Sequence, residues 1–249
     1  MKELFFFDAD CTVGFDLYGQ GAGAAELLGD MDNFGVDRAL VRYRNYPHDG
    51  LNTNAELAEL LAQSDPQHRL TGVWGVMPQQ DAEMPEPEVF FASMRDCRIG
   101  AITFDPDHAF IPGRMTLGKI LDAAQKHRIP VLLTPFGSKW RELYAFLAEF
   151  PRLIGIIGAG GKWGADRYFR PLLENYPNLY LSLADYWVCE GVGELVKSFG
   201  ADRLLYGSAF PELDLGNQML QIKHSGIDDE AVAKIAGKNL LNLMENIQW

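Results

Sequence analysis

Short apolar runs alternate along the chain with longer segments in which apolar residues recur every three or four positions. Within each short run, successive positions are apolar, which is typical of strands that are buried on both faces. The runs predict eight strands, at Leu4–Asp8, Arg38–Tyr43, Leu70–Met77, Gly100–Phe104, Pro130–Thr134, Leu153–Gly158, Leu179–Leu183 and Arg203–Tyr206.

The longer segments predict helices, so that strand and helix alternate along the chain. They lie near Gly23–Asn33, Asn54–Ala62, Glu86–Met94, Leu117–Lys126, Lys139–Glu149, Tyr168–Asn175 and Gly191–Ser198, with a last helical region from Leu215 to about Asn246. Strands that are buried on both faces and separated by helices require a parallel sheet covered by those helices. Eight repeats in 249 residues predict an α/β protein, a single (β/α)8 TIM barrel over residues 1–249.

The net charge limits the kinds of partner that the protein can bind, and the spacing of the cysteines indicates its compartment. With a net charge of −12, the surface repels phosphates and anionic lipids, so we expect neither a nucleic-acid nor a membrane partner. Cys11, Cys97 and Cys189 are far apart and form no CxxC pair, which indicates a reducing compartment without disulfides. The first strand follows the N-terminus directly and no long apolar run exists elsewhere, so we expect a soluble cytoplasmic protein.

Polar side chains follow the predicted strands where a barrel places its active site, at the carboxyl ends. This position makes ten residues candidates for a small-molecule site: Asp8, Asp10, Thr12, Arg44, Trp74, Asp105, Thr134, Lys162, Asp185 and Ser208. Asp10 is expected to point into the barrel mouth, where an ionised carboxylate needs a partner such as Lys162, Arg44 or a bound cation.

Four stretches resemble the amidohydrolase-related barrel family, in the branch of metal-dependent hydrolases and decarboxylases that includes aminocarboxymuconate-semialdehyde decarboxylase. FFDADCTVG (Phe6–Gly14) resembles the family's I-D-x-H-x-H-x-G, and MDNFGVDRALV (Met31–Val41) resembles M-D-x-x-G-V-D-x-A-V. DRLLYGSAFP (Asp202–Pro211) is similar to D-R-L-L-F-G-S-D-F-P, and Gly226–Met244 is similar to the closing helices. The resemblance implies a TIM barrel that hydrolyses or decarboxylates a small carboxylated or cyclic compound. Dimers are common among such barrels, so a homodimer is a further expectation.

The metal-ligand positions of that family carry other residues here. The resemblance implies histidines at two positions of strand one, after strand five and often after strand six, and an aspartate after strand eight. These positions hold Asp10, Thr12, Thr134, Gly158 and Ala209. Since hydroxyl groups bind zinc poorly and Gly and Ala provide no donor, we expect no resident transition metal. A carboxylate site for a hard cation, built from Asp10, Asp105, His108 and Asp185, is an alternative.

Three functional hypotheses follow. The first is a diverged hydrolase or lyase that works without the family's metal and uses Asp10 as acid or base. The second is a noncatalytic binding or regulatory barrel, a pseudoenzyme, and the third is a metal-dependent enzyme with the rebuilt carboxylate site. Asp8 is expected to accept backbone hydrogen bonds, Ser208 to shape a turn, and Cys11 to fill buried space, although a thiol can also act as a nucleophile.

Overall fold

Nine strands form one curled sheet in the computed structural model, which describes residues 4–16, 18–44, 52–78, 84–106, 110–159 and 164–249. The strands are β1 (Phe7–Phe15), β2 (Gly21–Ala22), β3 (Arg38–Tyr43), β4 (Leu70–Gly75), β5 (Ile99–Thr103), β6 (Val131–Leu132), β7 (Gly155–Gly158), β8 (Leu179–Ser182) and β9 (Leu204–Leu205). The order is β2-β1-β3-β4-β5-β6-β7-β8-β9. Only β1 and β2 pair antiparallel, and the other neighbours are parallel.

The stretch that follows β9 is hydrogen-bonded to β1. Ala9 N donates to the Tyr206 carbonyl (2.9 Å), Thr12 N donates to the Phe210 carbonyl (2.8 Å), and Ala209 N donates to the Asp10 carbonyl (3.0 Å). The carboxyl end of β1 therefore lies beside the residues after β9, at the same rim of the sheet.

Helices occupy the connections between the strands. They are α1 (Ala24–Phe34), α2 (Asn52–Ser64), α3 (Pro87–Asp96), α4 (Arg114–His127), α5 (Trp140–Glu149), α6 (Asp166–Asn175), α7 (Gly191–Phe199), α8 (Leu215–Lys223), α9 (Asp229–Ala233) and α10 (Asn239–Glu245). A π-helical turn, Lys234–Lys238, joins α9 to α10. No helix in the described ranges combines the length and the apolar character that crossing a membrane requires.

Two apolar clusters divide the core. The larger one lies between the strands and the helices, where Ala39 and Val41 of β3 join Leu57 and Leu61 of α2. The smaller one takes alternate strand residues from the opposite face of the sheet: Phe7, Ala9, Leu40, Val73, Ala101, Leu132, Ile156 and Leu205. This inner face is the one that continues upward to the polar rim, because residues two apart on a strand share a face.

The first strand differs from its prediction. It begins at Phe7 rather than Leu4 and runs to Phe15 rather than ending at Asp8. Apolar character stops at Asp8, but the backbone continues to pair with β3 as far as Val13 and Tyr43. Asp10 and Thr12 therefore lie within the strand. The short strand β2 was not predicted, since two residues carry no periodicity.

The predicted last helical region is also divided. Helix α8 ends at Lys223, and Gly226 follows with φ 73°, a left-handed conformation that favours glycine. Asp228 then caps α9 by accepting a hydrogen bond from Ala231 N (2.7 Å). The other predicted strands and helices overlap those observed, with ends that differ by a few residues.

Candidate functional site

An extra residue in β1 changes the face of the sheet on which the polar side chains at the rim lie. Asp8 pairs with Ala39 and Cys11 pairs with Val41, so three steps along β1 match two along β3. Such a bulge changes the face on which the following side chains lie. Phe7 and Ala9 belong to the inner apolar cluster, and beyond the bulge Asp10 and Thr12 contact the same inward side chain, Arg42.

Arg42, from β3, connects three strands at the rim. Its Nε donates to Thr12 Oγ1 and its Nη1 donates to Thr134 Oγ1, both at 2.9 Å. Its Nη2 lies 3.4 Å from Asp10 Oδ1. The Asp10 side chain is only 10% exposed, while that of Arg42 is 28% exposed. The guanidinium thus joins Asp10, Thr12 and Thr134 and still faces open space.

Arg42 was not among the residues predicted for the site. It is the next-to-last residue of β3, within a strand that was predicted correctly. The available signal was its spacing, because Arg42 shares a strand face with Leu40 of the inner cluster. A charged residue on that face, at the carboxyl end of the strand, indicates a group that points into the mouth.

A cavity of about 370 Å³ opens beside Arg42. Its walls are Thr12, Arg42, Tyr43, Arg44, Thr53, Asn54, Val73, Gly75, Thr103, Asp105, Thr134, Pro135 and Glu212. Four of the predicted site residues are among them: Thr12, Arg44, Asp105 and Thr134. Lys162, His48 and His108 lie outside the described residues.

Arg44 has a different partner from the one predicted. Its Nη2 contacts Glu212 Oε1, which follows β9, so this ion pair links two loops at the rim. The counterion of Asp10 is Arg42 rather than Arg44. Arg44 Nε is buried and has no hydrogen-bond partner among the described residues.

Asp8 and Ser208 connect β1 to the end of β9. Asp8 is fully buried, and its Oδ1 accepts hydrogen bonds from Asp10 N and Ser208 N, both at 3.0 Å. Ser208 Oγ accepts from Phe210 N (3.0 Å) and shapes the turn there. Burial raises the pKa of Asp8, and the hydrogen bonds from Ser208 and Asp10 oppose that effect. Neither side chain lines the cavity.

Asp10 carries a buried carboxyl group next to a cation. Burial raises its pKa, the positive charge of Arg42 lowers it, and the negative charge of Glu212 adds to the increase. The net effect is an increase, so the protonated form of Asp10 is more stable here than in water. Asp10 itself is not part of the cavity wall, and it contacts the wall through Arg42.

Cys11 lies on the other face of β1 and is buried. Its Sγ is 3.7 Å from Ser208 Oγ. Burial and the nearby charge of Asp8 raise the pKa of the thiol well above its ordinary value. A thiol that is buried and protonated is a poor nucleophile.

Trp74 and Asp185 are not part of the cavity wall. The Trp74 ring packs against Phe90 of α3, with ring centroids 5.4 Å apart, and so belongs to the layer between sheet and helices. Asp185 accepts a hydrogen bond from Trp187 Nε1 (2.7 Å). Both had been predicted to contact the ligand from their place at strand ends.

The rim residues that the structure describes do not fit a divalent metal ion. Thr12 and Thr134 accept hydrogen bonds from Arg42, Gly158 has no side chain, and Ala209 N is hydrogen-bonded to Asp10 O. A guanidinium directed at these oxygens repels a cation. In the described part of the chain, no three His, Cys, Asp or Glu side chains are placed to share a metal ion, so Asp105 and Asp185 do not complete a site with Asp10.

Comparison with known proteins agrees with the resemblance. The sequence matches the amidohydrolase family over residues 18–239. A search of curated proteins finds no match.

Solved structures show the fold. A TIM-barrel protein from Bordetella bronchiseptica has a TM-score of 0.69 at 18% identity, covering 98% of this chain and 99% of that one. A proposed 2-pyrone-4,6-dicarboxylic acid hydrolase from Pseudomonas putida has a TM-score of 0.69 at 15% identity, covering 98% of each chain. A dihydroxybenzoic acid decarboxylase from Polaromonas sp. JS666, with bound manganese and 2-nitroresorcinol, has a TM-score of 0.73 at 14% identity, covering 99% and 100%. The sheet described above therefore has an amidohydrolase-like TIM-barrel fold.

Proposed function

The chain belongs to the amidohydrolase family, and we propose from this that it is a hydrolase or lyase for a small molecule bound in the rim cavity, working without the family's metal. One observation carries the proposal: the Arg42 guanidinium contacts Asp10, Thr12 and Thr134, three of the positions that the family resemblance assigns to metal ligands. A fixed cation is thereby supplied by the chain itself.

Two residues have proposed roles in the reaction. A preorganised guanidinium stabilises negative charge that develops on a substrate oxygen, and this effect is strongest where water is excluded. Asp10 is the proposed acid or base, because burial already holds its pKa above the ordinary aspartate value. Asp10 does not line the cavity, but it contacts Arg42, which does, so the proposed proton transfer takes place beside the guanidinium.

The structural neighbours support a class of substrate. The two enzymes named above are described as acting on 2-pyrone-4,6-dicarboxylic acid and dihydroxybenzoic acid, both cyclic acids. A cavity of about 370 Å³ has room for one small ring. We therefore propose a small cyclic compound as the substrate.

We also infer that the sheet closes into a (β/α)8 barrel. The backbone hydrogen bonds from Ala9, Thr12 and Ala209 support closure, because they join β1 to the continuation of β9. Closure would place all parallel strand ends around one mouth.

A noncatalytic binding barrel is the second candidate. It is favoured by Ala209, since this position has no carboxylate to accept the proton of an attacking water. In that case the cavity binds its ligand and releases it unchanged.

Turnover by chelator-treated protein distinguishes these candidates. We expect protein dialysed against EDTA to convert at least one compound in a panel of cyclic lactones and aryl carboxylic acids. Asp10→Asn should lower kcat by about 100-fold or more, as loss of an acid–base group does. Asp185→Asn, a strand-end control whose carboxylate accepts a hydrogen bond from Trp187 Nε1 instead of pairing with Arg42, should retain activity. Turnover that appears only after metal is added would contradict the proposal, and ligand binding without turnover would favour the binding barrel.

A further inference from the structure

We propose that Arg42 and Arg44 together bind a carboxylate group of the ligand, and that Glu212 occupies Arg44 until the ligand displaces it. The inference rests on the proposed function for the location of the ligand in the rim cavity. It adds which group of the ligand is recognised, and by which residues.

Arg42 has donors to spare. A guanidinium carries five N–H groups, and the contacts to Thr12, Thr134 and Asp10 involve one each from Nε, Nη1 and Nη2. Contacts with the described residues therefore leave one N–H group on each terminal nitrogen, on a side chain that lines the cavity. Such a pair of N–H groups can bind the two oxygens of a carboxylate.

The ion pair that Arg44 forms with Glu212 is weak. Its partner Glu212 has a side chain that is 57% exposed, and an ion pair with so exposed a member contributes little stability. A ligand carboxylate that pairs with Arg44 therefore has only this weak contact to displace.

The charges on the cavity wall balance while Glu212 is in place, and they favour an anion once Glu212 turns away. Arg42 and Arg44 bring two positive charges to the cavity wall, and Glu212 and Asp105 bring negative ones. Glu212 can turn away into solvent because it is exposed, whereas Arg42 is held by three contacts. Val73 and Pro135 provide apolar surface for the rest of the ligand. A small ring that bears one carboxylate fits this arrangement.

Calorimetric titration with benzoate and with its uncharged analogue benzamide tests the proposal. Wild-type protein should bind benzoate about tenfold or more tightly than benzamide, since only the anion pairs with a guanidinium. Arg42→Gln should weaken benzoate binding by about tenfold or more and benzamide binding by less, because a neutral amide oxygen loses only an uncharged acceptor's hydrogen bond.

Glu212→Gln gives a second result of opposite sign. Removing the competing carboxylate should tighten benzoate binding by about threefold, a change typical of a partly exposed charge. Glu194→Gln, an exposed glutamate on α7 paired with Lys197, is the matched control and should change nothing. This arm remains informative if Arg42→Gln fails to fold.

The carboxylate site would be overturned by equal affinity for benzoate and benzamide, or by absence of benzoate binding. Weaker benzoate binding by Glu212→Gln would overturn it as well. Because these titrations do not measure turnover, the carboxylate site can fail while chelator-resistant activity persists. Loss of that activity would instead count against the proposed function.

Discussion

Replacing Arg42 with methionine is expected to lower the free energy of unfolding by about 3 kcal/mol, the scale found when one partner of a largely buried ion pair is removed. Methionine preserves much of the apolar stem but removes the contacts to Thr12, Thr134 and Asp10. The Asp10 carboxylate, 10% exposed, is then left without its counterion. Denaturant unfolding monitored by circular dichroism measures the loss.

A double-mutant cycle isolates the Arg42–Asp10 contribution. Asp10→Asn removes the stranded charge, so adding it to Arg42→Met should restore about 1–2 kcal/mol, as coupled neighbours do. Arg38→Met is the matched control on the same strand face, because among the described residues Arg38 makes one side-chain hydrogen bond, 3.4 Å long, to Thr71 and otherwise lies over the Phe7 ring, with no carboxylate partner. If Arg42→Met were as stable as Arg38→Met, the three contacts would have no energetic role.

Asp8→Ala is expected to destabilise the fold by a similar amount, about 3 kcal/mol. It leaves the Asp10 and Ser208 N–H groups without their shared acceptor, and a buried unsatisfied donor costs about 1–3 kcal/mol. These two hydrogen bonds connect the first strand to the segment after the last one. Thermal and denaturant unfolding of the purified variant measure the effect.

Asp8→Asn is the informative control, because an amide oxygen can accept the same two hydrogen bonds. The pKa of Asp8 is raised in the folded protein above the ordinary 3.8, so its stabilising contribution is complete below that pH and is lost as the pH rises through the folded pKa. Asp8→Asn should therefore become more stable relative to wild type as the pH increases above about 4. A relative stability that falls with pH would contradict the assigned environment of Asp8.

Most of the fold could be predicted from the repeated strand and helix pattern of the sequence. Strands that are buried on both faces, such as β3 and β7, are predicted well because tertiary packing and local pattern agree. The first strand is the exception, since Asp8, Asp10 and Thr12 are polar yet continue the ladder with β3. A rule that ends strands at polar residues fails where a strand enters a site.

The site was predictable in position but not in its connections. Asp10, Thr12 and Thr134 could be placed at the mouth from the family motif, and the structure brings them to one guanidinium. Spacing indicates that Arg42 is on the inner face of β3, but the oxygens that it contacts depend on the bulge in β1 and its register with β3. Arg44, two residues later, pairs with Glu212 instead.

Metal content measures most directly whether a guanidinium has taken the place of a metal in this barrel. The protein is purified without chelator, equilibrated with Mn²⁺ or Zn²⁺, desalted and subjected to elemental analysis. We predict well under one equivalent of zinc, manganese or iron, because Arg42 repels a cation at Asp10, Thr12 and Thr134. Near-stoichiometric metal that Asp10→Asn removes, together with turnover that depends on it, would contradict a site built around Arg42.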